Sequence, residues 1–186
     1  MASVVGLESA KYTVQSKIVD RLEFPRPGAK PESVRLFIHG PPGCGKTILA
    51  HALANKLGEP LLFANLQDLK SMYHGEDLKI LAALFTLAKL LQPCVVFIDE
   101  CESIMGKRGG GESAAADNKG VAMLLQLLNE ILPQVRVIAA TNRPEAIDEA
   151  ALRRFSTKVY VGLPDAATRH VLLNQQLLAV DGGVQI

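Results

Sequence analysis

Residues 40–47 read Gly-Pro-Pro-Gly-Cys-Gly-Lys-Thr. They stand between an apolar run, Leu36-Phe37-Ile38-His39, and a segment from Thr47 to Leu57 whose pattern predicts a helix closed by Gly58. Gly40, Gly45, Lys46 and Thr47 fit G-x-x-x-x-G-K-[ST], and few sequence features constrain a chain more tightly. Glycines let successive backbone N–H groups turn inward around an anion. The following helix aims its positive end at the same point. Lys46 supplies a mobile point charge for the β- and γ-phosphates, and Thr47 a hydroxyl for magnesium. A strand before the loop and a helix after it are the context that separates a phosphate loop from a chance glycine turn. Cys44 fills a free position as a small loop residue.

The rest of the chain repeats the strand-then-helix rhythm. Strands are predicted at Leu36–His39, Leu61–Ala64, Cys94–Ile98, Val135–Ala140 and Lys158–Val161. Helices are predicted at Thr47–Leu57, Glu76–Gln92, Asp117–Leu132 and from Asp165 to Val180. Pro93 and Pro133 mark helix stops, and Gly120 weakens the third helix. Cys94-Val95-Val96-Phe97-Ile98 is apolar throughout, as in a strand covered on both faces. Alternation of this kind predicts a five-stranded parallel sheet between two helical layers, an α/β three-layer αβα sandwich. Ligands of such sheets bind at the carboxyl ends of the strands, here just after Ile38, Ile98 and Ala140. Two stretches read as loops: Phe24 to Ser33, rich in proline, and Gly106 to Ala116, rich in Gly, Ser and Ala.

At those strand ends stand further polar residues. Asp99 is placed to hold the water shell of magnesium opposite Thr47, and Glu100 to orient or deprotonate an attacking water. Glu102, two residues on, is assigned a structural or interface role. Asn142 closes the fourth strand; its amide could place the water, although an Asn turn before Pro144 reads the same way in isolation. Arg153 and Arg154 follow a short acidic helix, Glu145 to Ala150. They suit either stabilisation of a transferring phosphoryl group or capping of that helix.

Composition narrows the field. The 186 residues are 48% apolar with a net charge of +1, enough for one well-filled domain and without the field that a nucleic-acid partner calls for. The odd number of cysteines, Cys44, Cys94 and Cys101, reads as reduced thiols of a cytoplasmic protein. Four histidines without metal-ligand spacing argue against catalytic zinc, and no apolar stretch is long enough to enter a membrane.

Taken in order, these residues resemble the AAA ATPases of the AAA+ superfamily, over nearly the whole chain. Gly40 to Thr47 resembles Walker A, Val95 to Glu100 Walker B, and Ala140-Thr141-Asn142-Arg143-Pro144 the sensor 1 stretch. Ile147 to Ala150 with Leu152-Arg153-Arg154-Phe155 resembles the arginine-finger stretch. Val5-Gly6-Leu7-Glu8 resembles the family's opening segment, whose backbone lies against adenine. The resemblance implies ATP and Mg2+ as cofactors, with nucleotide contacts along Val5, Gly6, Pro42, Gly43, Cys44, Gly45, Lys46, Thr47, Ile48 and Asp99. It implies catalytic roles for Lys46, Glu100, Asn142, Arg153 and Arg154, the arginines acting on ATP in the neighbouring subunit of a ring, usually a hexamer.

Met72-Tyr73-His74-Gly75-Glu76 resembles the first pore loop of the meiotic branch, where the aromatic grips a threaded polypeptide; Tyr73 and His74 are the substrate-contacting candidates. Arg108 to Ser113 is most similar to the second pore loop of the ATPase that disassembles ESCRT-III. The expected function is therefore ATP-driven remodelling, with ESCRT-III disassembly in endosomal sorting first and microtubule severing of the spastin and katanin type as the alternative. Recruitment to endosomal membranes or to microtubules goes with those two readings. A clamp-loader type acting on DNA and a scaffold without turnover rank lower, since the charge is near neutral and Glu100 is present. The resemblance divides the chain into a large nucleotide-binding subdomain, residues 1–164, and the start of a helical lid, residues 165–186, with most of the lid absent. On that division the isolated chain is expected to be monomeric and weakly active. Met72 replaces the usual Lys before the pore aromatic, Glu102 the usual Asp, and Asp117-Asn118-Lys119 a usual arginine pair.

Overall fold

The computed structural model describes residues 4–25, 27, 28, 33–65, 77–106 and 114–181. Its centre is a parallel sheet of β1 (Arg35–His39), β2 (Leu61–Asn65), β3 (Cys94–Asp99), β4 (Val135–Thr141) and β5 (Thr157–Tyr160), in the order β2-β3-β4-β1-β5. The expected five-stranded parallel α/β architecture is present, and the strand bearing the phosphate loop lies inside the sheet with a neighbour on each side.

Period-two alternation sorts the strand residues into two cores. Leu36, Ile38, Val95, Phe97, Ile138 and Ala140 face one side, where they meet Leu49, Ala50 and Leu53 of α3 (Lys46–Leu57). Phe37, Val96, Ile98, Val137 and Ala139 face the other. There they meet Leu81, Phe85 and Ala88 of α4 (Asp77–Leu91) and Val121, Leu124 and Leu128 of a long helix, Ala114–Asn129. Each fully buried Leu, Ile or Phe contributes about 1.5–3 kcal/mol, so both faces of the sheet are strongly held.

Sequence periodicity missed the amino-terminal helix. α1 (Glu8–Val14) continues through a π-helical turn, Gln15–Val19, into α2 (Asp20–Glu23). Ala10, Val14 and Ile18 recur every fourth residue and are buried beside Leu36 and Ile38. A stripe of one small and two β-branched residues is a faint helical signal, and docking on the sheet supplies what propensity does not.

Other boundaries shift. A short helix, α5 (Glu102–Met105), follows β3. The next helix, α6 (Ala114–Asn129), starts three residues before the expected Asp117 and ends before Leu132, so residues 114–116 belong to a helix and not to the predicted loop. Gly120 is no weakness there. A Cβ on it would lie 3.3 Å from both the carbonyl oxygen and Cγ2 of Ile104, so the missing side chain lets α6 pack directly on α5. The expected acidic helix splits into a 3-10 turn, Pro144–Ala146, and α7 (Glu149–Leu152), capped by Asp148, whose Oδ1 accepts from Ala150 N at 2.8 Å and Ala151 N at 3.3 Å. α8 (Ala166–Asp181) is the last element. Among the described residues no helix is long and apolar enough to cross a membrane.

One charged pair sits within this framework. Arg136 of β4 meets Glu59, just past α3, at 3.0 Å, with side chains only 11% and 8% exposed. Burial raises the Glu59 carboxyl above its ordinary value, outweighing the opposing pull of Arg136. The ion pair therefore does not fully offset its own desolvation. Replacing Glu59 alone by Leu leaves Arg136 buried and unpaired and should cost about 3 kcal/mol in urea unfolding. The double variant Glu59→Leu/Arg136→Met should recover most of that loss; a double variant as unstable as the single one would contradict this account.

Candidate nucleotide site

The phosphate loop leaves β1 through Gly40 (φ 150), where there is no space for a side chain. A Cβ would lie 1.9 Å from the Val161 carbonyl oxygen. Val161 N in turn donates to His39 O at 2.8 Å, and Gly40 N donates to Thr141 O at 3.4 Å. The loop is thus fixed at its start from both neighbouring strands. It enters α3 through Gly45 at φ 90, a conformation that favours glycine.

Inside the loop, Lys46 is 6% exposed and its Nζ donates to Gly40 O at 2.9 Å and Pro41 O at 2.7 Å. These are backbone carbonyls, so the ammonium is held across the mouth of the loop, with no carboxylate of the described residues in direct contact. Burial lowers its pKa from the ordinary lysine value, and Cys44, Asp99 and Glu102 act in the opposite sense. An anion placed in the loop would return to Lys46 the electrostatic stabilisation that burial removes. Cys44 is buried, with Sγ donating to Pro42 O at 3.7 Å.

Opposite Lys46, Thr47 Oγ1 donates to Asp99 Oδ2 at 3.2 Å. Asp99 Oδ1 accepts from Glu100 N at 2.9 Å, which fixes the carboxylate plane. A hydroxyl and an ionised carboxylate facing each other beside a phosphate loop form an oxygen donor set suited to Mg2+ carrying its own waters. Glu100 adopts φ 51, in the left-handed region. Such backbone conformations in non-glycine residues are held by their surroundings and cluster at functional sites; here Ser103 N donates to Glu100 O at 3.1 Å.

Asn142 stands directly after β4. Its Oδ1 is buried and has no hydrogen-bond partner among the described residues. The preceding residue matters as much. Thr141 is fully buried, its Oγ1 donating to Glu102 Oε2 at 2.6 Å and accepting from Arg143 N at 2.9 Å. Sequence reasoning passed over Thr141 and gave Glu102 only a general role. The available signal was a hydroxyl residue ending the apolar run Val137-Ile138-Ala139-Ala140.

Near the amino terminus, Val5 and Gly6 approach the loop through Leu7. A Cβ on Gly45 would meet Leu7 Cδ1 at 3.5 Å and Ile48 Cδ1 at 4.0 Å, so these two apolar side chains flank the loop's last glycine. Gly6 is covered on its other side by Thr168 of α8. Beside them opens a cleft of about 390 Å³, lined by residues including Gly6, Leu7, Thr13, Tyr160, Asp165 and Thr168. Its place between α1, β5 and α8 suits a flat ring next to bound phosphates.

Arg153 and Arg154 are not brought to this loop. They are exposed, Arg153 pairs with Glu149 at 2.9 Å, and both precede β5. β5 runs parallel to β1, so its start lies about 13 Å from the end level with the loop, at about 3.3 Å per residue. Ser156 Oγ donates to Arg35 O at 3.3 Å, which sets the segment after Arg154 beside the start of β1; burial first and Arg154 second lower the Arg35 pKa. Tyr73 and His74, and the segment Arg108 to Ser113, lie outside the described residues.

A phosphate loop on an inner parallel strand, a Thr–Asp oxygen pair and an acidic residue after it define a nucleoside-triphosphate-binding α/β domain. Comparison with known proteins narrows this. The model of the ATPase family associated with various cellular activities (AAA) matches residues 36–163, more than half of the chain, and the chain belongs to that family. It is 40% identical over 184 residues to spastin of Drosophila persimilis and 38% identical to spastin of Drosophila melanogaster, covering 94% of this chain in each case. It spans less than a quarter of the length of these curated relatives, 23% and 24%. Among solved structures, the FIGL-1 AAA domain aligns with a TM-score of 0.79, and the same domain with ADP at 0.75. Identity is 32% for both, over 96% of this chain and 60% of that one.

His39 gives this site a pH signature. Its ring lies between Phe37, at 5.8 Å, and Tyr160, at 5.5 Å. Burial first, and Lys158 second, lower its pKa. The fold thus favours the neutral ring, and that stability is complete above the ordinary imidazole range and lost as pH falls through the lowered folded value. Thermal melts should show stability lost between about pH 7.5 and about pH 5, with His39→Phe losing less over the same interval. Equal losses for the two proteins would remove His39 from the account.

Proposed function

We propose that this chain is the nucleotide-binding large subdomain of an ATP-hydrolysing protein remodeller, residues 1–164, with residues 165–186 beginning a second, helical unit. The observation that carries the reading is the Thr47–Asp99 contact, beside a buried Lys46 that donates to the loop's own carbonyls, Gly40 O and Pro41 O. Backbone N–H groups from Gly43 to Thr47 would hold the phosphates, with Pro42 lining the loop through its ring and carbonyl, Lys46 on the β- and γ-oxygens and Thr47 and Asp99 around Mg2+, largely through its waters. Bound Mg2+ would supply charge neutralisation at the transferring phosphoryl group. Glu100 accepts the proton of the attacking water, and Asn142 offers its amide to orient that water. Val5, Gly6 and Ile48 border the space for adenine beside the cleft between α1, β5 and α8.

Arg153 and Arg154 fit a role in trans. They project from the end of the sheet away from the phosphate loop, so they could stabilise charge only on ATP held by another copy. This supports a ring of identical subunits, a hexamer by the family's habit, acting on a protein substrate gripped by Tyr73 and His74 and not on nucleic acid.

Of the two remodelling readings, the relatives favour microtubule severing over ESCRT-III disassembly. Spastin is the recurring match along 94% of the chain, and the FIGL-1 AAA domain is the solved neighbour. The segment that resembles the ESCRT-III ATPase, Arg108 to Ser113, is only six residues, three of them glycine, too short to outweigh them. A cytoplasmic, microtubule-associated setting follows from the same reading.

Glu100→Gln should lower ATP turnover by about 10²–10⁴-fold while ATP binding persists, as loss of a general base requires. Lys46→Ala should abolish binding itself. Fluorescent stabilised microtubules should be cut by the intact wild-type protein with ATP and left whole by Glu100→Gln. Turnover unchanged in Glu100→Gln would exclude Glu100 as the base, and intact microtubules beside disassembled ESCRT-III polymers would restore the other remodelling reading.

A further inference from the structure

Thr141 joins three parts of the site. Its carbonyl oxygen accepts from Gly40 N, the first residue of the phosphate loop, at 3.4 Å. Its hydroxyl donates to Glu102 Oε2 at 2.6 Å and accepts from Arg143 N at 2.9 Å. Asn142 is the residue enclosed by that last bond. A hydroxyl that donates to an ionised carboxylate becomes a better acceptor, so the bond from Arg143 N is strengthened by the one to Glu102.

Glu102 can act as the fixed end of this chain because α5 is held along its length. Ile104 and Met105 are buried, and Gly120 lets α6 pack against the Ile104 backbone. Met105 O accepts from Asp148 N at 2.7 Å, and Gly106 forms an antiparallel bridge with Ile147. At the other end, Cys101 N donates to Ala140 O at 3.0 Å, tying the turn after Glu100 to β4. The carboxylate therefore projects from an anchored element onto the end of a buried strand.

We propose that Glu102 is a positioning residue for Asn142. Through the Thr141 hydroxyl it sets the turn 141–143, and so the direction in which the Asn142 amide faces the water beside the γ-phosphate. This rests on the hydrolytic reading for its consequence in turnover, though the bracket itself stands on the hydrogen bonds. Glu102 touches neither nucleotide nor water in this role. Removing it should disturb the chemical step and leave nucleotide affinity in place.

The test compares wild type, Glu102→Ala, Glu102→Gln and Thr141→Val in the intact protein, with amide hydrogen exchange, binding of a non-hydrolysable ATP analogue, and kcat. In nucleotide-free protein, exchange at the Arg143 amide should be about tenfold faster in Glu102→Ala and Thr141→Val, the equivalent of one hydrogen bond. kcat should fall by about 10²-fold in both, the scale of a misplaced catalytic group, with analogue affinity unchanged. Glu102→Gln keeps a carbonyl acceptor and should restore slow exchange and most of kcat. The double variant Glu102→Ala/Thr141→Val should be no worse than either single one. Unchanged Arg143 exchange in Glu102→Ala would overturn the proposal, as would affinity falling in step with kcat, which marks a general loss of structure. A wild type without turnover would remove the hydrolytic reading alone, because the exchange comparison by itself still upholds or overturns the bracket.

Discussion

Parallel pairing of β1 with β4 and β5 is the constraint on which the site depends. The register sets His39 against both Thr141 and Tyr160, and Asn65 of β2 against Asp99. Strands that pair in parallel end on the same side, so the residues after β1, β3 and β4 converge without any long-range design of their own. Gly40 shows how closely the strands approach, since even a Cβ would collide with Val161 O. The phosphate loop can form because β5 stands behind its first residue and β4 beside it.

Charge in this site is balanced locally. Lys46 loses solvation by burial and, among the described residues, donates to two carbonyl oxygens, with Asp99 and Glu102 acting from further away. The carboxylates are in turn assigned distinct tasks by their hydrogen bonds. Asp99 is turned toward Thr47 and fixed by Glu100 N, and Glu102 is turned away toward Thr141. Asp99 and Glu102 thus take different directions on either side of a sharp backbone turn at Glu100, where φ is 51.

The sheet and its loop were legible in the sequence because they rest on local signals. A continuous apolar run, a glycine pattern and a stop at Pro93 each act over a few residues, and the five strands appear within a residue or so of their expected ends. Asp99, Thr47 and Lys46 were legible for the same reason, being fixed to strand ends and a helix start. What escaped depends on packing between distant segments. The helix from Glu8 is stabilised by docking on β1, and Gly120 looked like a weakness until Ile104 was seen against it. The Glu102–Thr141 bond links residues 39 positions apart, and no period or spacing in the sequence encodes it. The choice between the two remodelling roles rests on a different kind of signal: a short glycine-rich segment resembles the ESCRT-III ATPase, whereas similarity over 94% of the chain is to spastin.

The same parallel topology that assembles the loop also leaves it incomplete in one chain. A parallel strand delivers only its carboxyl end to the ligand side, and whatever precedes it stays at the far side. Arg153 and Arg154 precede β5, and the Ser156 Oγ bond to Arg35 O sets the segment that follows them beside the start of β1. The part that these residues take in ATP chemistry, on the proposed reading, is played on a second copy. On the proposed reading, the need for a ring is a consequence of strand direction, and an isolated chain has phosphate-binding geometry without the cation that would complete it.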